Sequence, residues 1–93
     1  MRILLVKTSS LGDVIHNLPV AADLARQFPG VEIDWCVEEA FADIPKLSPA
    51  VHSTLPVAIR RWRKSVLGAG TWGEIKQLRC RLKAESYDAV LDT

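Results

Sequence analysis

No apolar run in this chain approaches the roughly 20 residues that a membrane-spanning helix needs. The opening stretch of Met1, Arg2, Ile3, Leu4, Leu5, Val6 and Lys7 is too short, and too soon charged, for a secretory signal. The expectation is a protein made and retained in the cytoplasm. Only two cysteines occur, Cys36 and Cys80, far apart and outside any CxxC pattern, which argues against a disulfide framework and predicts two reduced, half-buried thiols. His16 and His52 are too few and too separated to suggest a metal site, and no cofactor is expected. Tracts rich in Gly, Pro or Ser are missing too, so nothing argues for disorder. A last absence is local: no Asp or Glu occurs from Ile44 to Gly73.

What is present belongs to an ordinary globular chain, 48% hydrophobic and 25% charged. Its 93 residues make one domain at most. A chain of this size buries only about 60–65% of the surface its unfolded form exposes, so its stability is expected to be marginal. The net charge is +1, but Arg60, Arg61, Arg63 and Lys64 contribute four positive charges by themselves, so the rest of the chain sums to −3. The positive charge is therefore local.

Ile3, Leu4, Leu5 and Val6 form a continuous apolar run, as in a parallel strand covered on both faces. Residues 8–13 supply turn and cap chemistry, after which Val14, Leu18, Ala21, Ala25 and Phe28 recur at helical spacing. Pro19 splits that pattern into a short turn over 13–17 and a main helix starting near Leu18. Pro29 and Gly30 end the helix, and residues 31–37 alternate as a strand with one face less buried.

Residues 38–44 predict a short helix closed by Pro45, and 53–58 a third strand whose Pro56 places it near an edge. The basic residues fall in the loop after that strand, and the three glycines within 67–73 predict a second, mobile loop. Ile75, Leu78 and Leu82 mark an amphipathic helix to about Ser86, and residues 87–92 begin another apolar strand. Alternating strands and helices predict an α/β fold with a parallel, Rossmann-like sheet. In such sheets the binding crevice lies outside the carboxyl ends of the strands. That puts the 7–13 loop and the basic segment on one edge.

Two constellations there carry candidate chemistry. Ser10 and Asp13 have capping-box spacing, so Asp13 reads either as a helix cap or as a general base for a hydroxyl nucleophile beside Gly12. With one glycine, the loop is neither GxGxxG nor a Walker motif. The second is Arg60, Arg61, Trp62, Arg63 and Lys64, either a solvated basic loop or a grip on a compact anion. The remaining −3 leaves no wider basic face for nucleic acid. Trp62 would stack on a sugar face or sit at a membrane interface, while Trp35 and Trp72 are expected to be packing residues.

Five strings stand in order along the chain: R-I-L-L-V-K-T-S-S-L-G-D over 2–13, V-I-H-N-L-P over 14–19, D-W-C-V-E-E over 34–39, P-V-A-I-R-R-W-R-K over 56–64 and Y-D-A-V-L-D over 87–92. Together they resemble the N-terminal portion of the lipopolysaccharide heptosyltransferase I family, the ADP-heptose-dependent enzymes of glycosyltransferase family 9. The resemblance covers essentially the whole chain and implies a GT-B enzyme of two Rossmann-like domains. That enzyme moves heptose from ADP-heptose to a Kdo sugar of Kdo-lipid A with inversion and without a metal.

By the same resemblance Asp13 would be the catalytic base, and Arg60, Arg61, Arg63 and Lys64 would hold the acidic acceptor, with Ser10 and Lys7 nearby. Residues 1–93 would be the acceptor-side domain, truncated, without the C-terminal domain that mainly holds the donor. The isolated chain is then expected not to transfer heptose. Association with the cytoplasmic face of the inner membrane is implied, driven by electrostatics. An alternative of another class is a non-catalytic fragment that binds an anionic glycolipid.

Overall fold

Main-chain pairing organises the chain around one parallel sheet, as the alternating pattern predicts. The computed structural model describes residues 1–92. Strand β1 (Arg2–Val6) leads to helices α1 (Leu11–His16) and α2 (Leu18–Gln27), then to β2 (Glu32–Glu38). Two 3-10 turns (Glu39–Phe41 and Pro45–Leu47) precede β3 (Val51–Val57), helices α3 (Ile59–Lys64) and α4 (Ala69–Ala84), and β4 (Ala89–Asp92). The strand order is β3-β2-β1-β4, every neighbouring pair parallel. Register pairs Val6 with Cys36 and with Asp92, and Glu38 with Val57, so all four carboxyl ends share one edge.

Successive strand residues point to opposite faces, and each face has its own core. On one face Leu5, Ile33, Trp35 and Val37 meet Val14 and Ala21 of α1 and α2. On the other, Leu4, Cys36, Leu55 and Val57 are covered by Ile59 and Trp62 of α3 and Leu78 and Leu82 of α4. Each fully buried large apolar side chain contributes about 1.5–3 kcal/mol. The chain breaks between α1 and α2 at Asn17, and Pro19 falls in the first turn of α2, where its missing N–H costs nothing. Gly30 takes a φ of 84° in the turn into β2, a left-handed conformation that favours glycine.

Several expectations are corrected. Strand β2 is buried on both faces after Glu32, not on one. Its alternation came from Asp34, Cys36 and Glu38, and the two acids are buried because they are bonded. Asp34, 2% exposed, accepts from the Ser53 hydroxyl at 2.6 Å and the Tyr87 hydroxyl at 2.6 Å, and stands 3.2 Å from Nδ1 of His52. Burial pushes its carboxyl up, but the bonds from Ser53, Tyr87 and His52 outweigh this and hold it below the usual carboxylate range. Arg2 adds a contact at 3.6 Å, so one carboxylate fastens β3 and the segment leading into β4 onto β2.

The helix expected over 38–44 is two 3-10 turns, and Pro45 opens the second instead of closing the first. The basic residues form helix α3, not a loop. The expected mobile loop over 67–73 is mostly the first turn of α4, with Gly68 as its cap residue and Gly70 and Gly73 inside it. Each interior glycine costs about 1 kcal/mol relative to Ala. That cost is offset where Glu74 and Trp72 make contacts outside their own helix. Trp72 is exposed, contrary to the expectation of packing, whereas Trp35 is fully buried. The thiols also differ from expectation: Cys36 is buried and Cys80 exposed, both free.

Candidate functional site

The 7–10 loop leaves β1 clamped against β2. The Lys7 N–H donates to the Cys36 carbonyl at 3.2 Å, the Glu38 N–H donates to the Thr8 carbonyl at 3.0 Å, and the Trp35 indole N–H donates to the Lys7 carbonyl at 3.0 Å. Trp35 is thus both core and anchor of the loop, a role for which its sequence position carried no signal.

The loop delivers Ser10 as the cap of α1 and Asp13 as its third residue, in the capping-box arrangement. The Ser10 N–H lies 3.4 Å and its hydroxyl 3.2 Å from Oδ2 of Asp13, so Oδ1 takes no part in the cap. The Ser10 backbone bond, the Ser10 hydroxyl and then the charge of Lys7 hold the Asp13 carboxyl below its ordinary value. Asp13 is exposed and ionised at neutral pH, the state in which a carboxylate can accept a proton. The capping and catalytic readings of Asp13 are therefore compatible: one oxygen is held and the other is left for chemistry.

Two strands away, α3 begins directly after β3. Ala58, at its cap position, has no side chain to satisfy the first N–H groups. Glu38, buried at the carboxyl end of β2, does so instead, accepting from the Ile59 N–H at 3.1 Å. Because β2 separates β1 from β3, the Asp13 loop and α3 leave the sheet about 10 Å apart along the same edge.

The four cations of α3 divide into two groups. At 100° per residue, Arg60, Arg63 and Lys64 fall on one face of the helix and Trp62 on the opposite side. Arg60, Arg63 and Lys64 are exposed, and among the described residues no ion pair engages them. Arg61 is fully engaged. Its guanidinium meets Glu74 at 2.8 and 2.7 Å and Glu39 at 3.2 and 3.3 Å, while the Trp62 indole N–H donates to Glu74 at 2.8 Å. Glu74 first, then Glu39, pushes the Arg61 pKa up, and Arg61 in turn lowers that of Glu74. The acid-free stretch is thus partly compensated from outside itself.

Trp62 is half-buried, packed on the sheet and bonded to Glu74, so α3 presents its cations while its indole is occupied. A cleft of about 330 Å³ opens between the β3 edge, α3 and α4, lined by Pro56, Arg61, Trp62, Glu74 and Leu78 among others. A shallower apolar hollow of about 190 Å³ lies between α3 and α4, beside Arg63, Val66 and Trp72. Asp13 lines neither. The structure therefore brings Ser10 to Asp13 and sets Arg60, Arg63 and Lys64 together elsewhere on the same edge.

No protein-family model matches the chain. It is 56% identical over 92 residues to lipopolysaccharide heptosyltransferase 1 of Pseudomonas aeruginosa, a match that covers 99% of this chain and 26% of that protein. It is 53% identical over 92 residues to lipopolysaccharide heptosyltransferase 1 of Escherichia coli K12, covering 99% of this chain and 29% of the relative. The solved structure of the E. coli heptosyltransferase WaaC with ADP-2-deoxy-2-fluoro heptose superposes with a TM-score of 0.92 at 52% identity, over 99% of this chain and 29% of that one. The chain thus spans little more than a quarter of the length of the relatives it matches.

Proposed function

We propose that this chain, similar over its whole length to the N-terminal part of lipopolysaccharide heptosyltransferase 1, is the acceptor-side domain of a heptosyltransferase. The reaction is transfer of heptose from ADP-heptose to a Kdo residue of Kdo-lipid A with inversion. The observation that carries the reading is the superposition, at 52% identity, on an enzyme solved with an ADP-heptose analogue.

In this reaction an acceptor hydroxyl oxygen attacks the anomeric carbon as the bond to the ADP phosphate breaks, and ADP leaves with the electron pair. The hydroxyl proton goes to Asp13 through Oδ1, while Ser10 holds Oδ2 and fixes the carboxylate's orientation. A carboxylate held below its ordinary pKa is a weak base, so its contribution rests on being ionised and placed, with the proton moving late as the hydroxyl acidifies in the transition state. Arg60, Arg63 and Lys64 bind the Kdo carboxylates and lipid A phosphates as charge-assisted contacts. Arg61 joins them only by exchanging Glu39 or Glu74 for the ligand.

On this reading the donor is held mainly by the part of such an enzyme outside the quarter matched here, and residues 1–93 by themselves do not turn over ADP-heptose. The domain works at the cytoplasmic face of the inner membrane, where its acceptor lies. A chimera tests the assignment: residues 1–92 replace the matching part of the E. coli relative, and heptose transfer to Kdo-lipid A is assayed. Transfer within about tenfold of the parent, the size of one modest interaction, is expected. A folded chimera that binds ADP-heptose but transfers nothing contradicts the reading.

A further inference from the structure

The turn between α3 and α4 carries an exposed apolar tip that neither Asp13 nor the cation grip uses. Leu67 is 99% exposed, Val66 52% and Trp72 56%. Three large apolar side chains within seven residues of surface need a reason, since a solvent-facing turn is ordinarily polar. The Trp72 indole N–H donates to the Val66 carbonyl at 2.6 Å, which ties the ring to the tip and leaves its one polar group already satisfied. An indole so bonded leaves water at lower cost than one that must give up a hydrogen bond to it. The shallow apolar hollow beside Val66 and Trp72 continues the patch toward the body of the domain.

The tip is rimmed by positive charge. Arg63 lines the hollow, Lys64 ends α3 three residues before Leu67, and Lys76 follows Trp72 by one turn of α4. Glu74 and Glu39, the acids that reach the cations of α3, are taken up by Arg61, and among the described residues no ion pair engages Arg63, Lys64 or Lys76. An apolar point within a rim of Lys and Arg complements one kind of surface in particular, a bilayer with anionic headgroups over an apolar interior. A protein partner of matching charge would offer carboxylates to the rim but no reason for Leu67 to stand at the apex.

We propose that Val66, Leu67 and Trp72 form a tip that inserts into the headgroup layer of an anionic membrane, with Arg63 and Lys64, the cations nearest it in α3, paired to lipid phosphates beside it. The inference rests on the membrane-facing part of the function proposed above and adds the element that makes the contact. Among the described residues no helix is long and apolar enough to cross a membrane, so the attachment is interfacial.

Co-sedimentation of the chain with vesicles of phosphatidylcholine and phosphatidylglycerol, compared with phosphatidylcholine alone, tests it without any Kdo-bearing lipid. The chain is expected to bind the mixed vesicles selectively. Leu67→Ser should lower partitioning on the order of tenfold, and Arg63→Gln or Lys64→Gln roughly fivefold each. Leu67 packs against nothing, so its replacement leaves the fold intact, as far-UV circular dichroism would verify.

If Leu67→Ser binds as well as the parent while Arg63→Gln does not, insertion is overturned and a purely electrostatic contact stands. If neither vesicle is bound, both the tip and the membrane-facing reading fail. A lipid-free dimer that Leu67→Ser converts to a monomer would make the tip an interface between copies, against the proposal. So would a chain extended to the length of its relatives that binds vesicles without sensitivity to Leu67, since the tip would then be covered by the rest of the polypeptide.

Discussion

Glu74 meets the guanidinium of Arg61 through both carboxylate oxygens, at 2.8 and 2.7 Å, across thirteen residues of sequence. The pair joins α3 to α4, and Glu39 extends it to the carboxyl end of β2. Arg61 is in this way set apart from the three cations beside it, which among the described residues are in no ion pair.

Arg61→Ala should therefore behave unlike Arg60→Ala. The first removes the link between α3, α4 and the end of β2 and is expected to lower the thermal midpoint measured by circular dichroism. The second, on an exposed face, should leave it within error. In an active chimera the order reverses for acceptor affinity: Arg60→Ala and Arg63→Ala raise the acceptor KM more than Arg61→Ala does.

Asp34→Ala removes the hub that receives Ser53, Tyr87, His52 and Arg2. Ser53, Tyr87 and Arg2 are half-buried and His52 is exposed, so leaving them without their acceptor should cost about 1–3 kcal/mol. In a domain of marginal stability this approaches global unfolding, and urea titration measures it. Asp34→Asn, which keeps the shape and one acceptor, should lie between the two.

Acid should act through the same carboxylate. Its folded pKa lies below the unfolded value of about 3.9. The unfolded chain therefore takes up the proton first, and the stabilisation is complete above about pH 5 and lost as pH falls through the folded value. Urea midpoints measured from neutral to acid should be flat and then decline, and Asp34→Asn should show a shallower decline.

The two thiols should separate cleanly with a chromogenic disulfide reagent. Cys80 is exposed and reacts at once, while Cys36 is buried, its pKa pushed up to about 11 by burial and then by the nearby Glu38 charge. One thiol per chain is expected to titrate in native buffer, and the second only in denaturant.

How far these features were legible follows from how local their causes are. Strand β1 announced itself as a continuous apolar run, the break near Asn17 by Pro19, and the edge position of β3 by Pro56, each a signal within a few residues. Helix α3 resembles a loop in the sequence because Ala58 cannot cap it, and the group that does, Glu38, lies 21 residues earlier. The start of α4 has the composition of a mobile loop because its glycines are weak helix formers, and the contacts that hold it come from Arg61 and from the Val66 carbonyl. The partners of Arg61 are hidden for the same reason: Glu39 and Glu74 stand outside the acid-free stretch on either side. At the candidate site, the pairing of Ser10 with Asp13 was visible at spacing three. The clamp from Trp35 onto Lys7 was not, since it spans 28 residues.

Whether Asp13 takes the proton from the acceptor hydroxyl, as proposed, is decided by a single substitution. In the chimera with the E. coli relative, Asp13→Asn preserves size and hydrogen bonding to Ser10 but cannot accept a proton at neutral pH. The expected outcome is a fall in kcat on the order of 10²–10⁴-fold with little change in the acceptor KM. An unchanged kcat with an intact fold would show that Asp13 only caps α1.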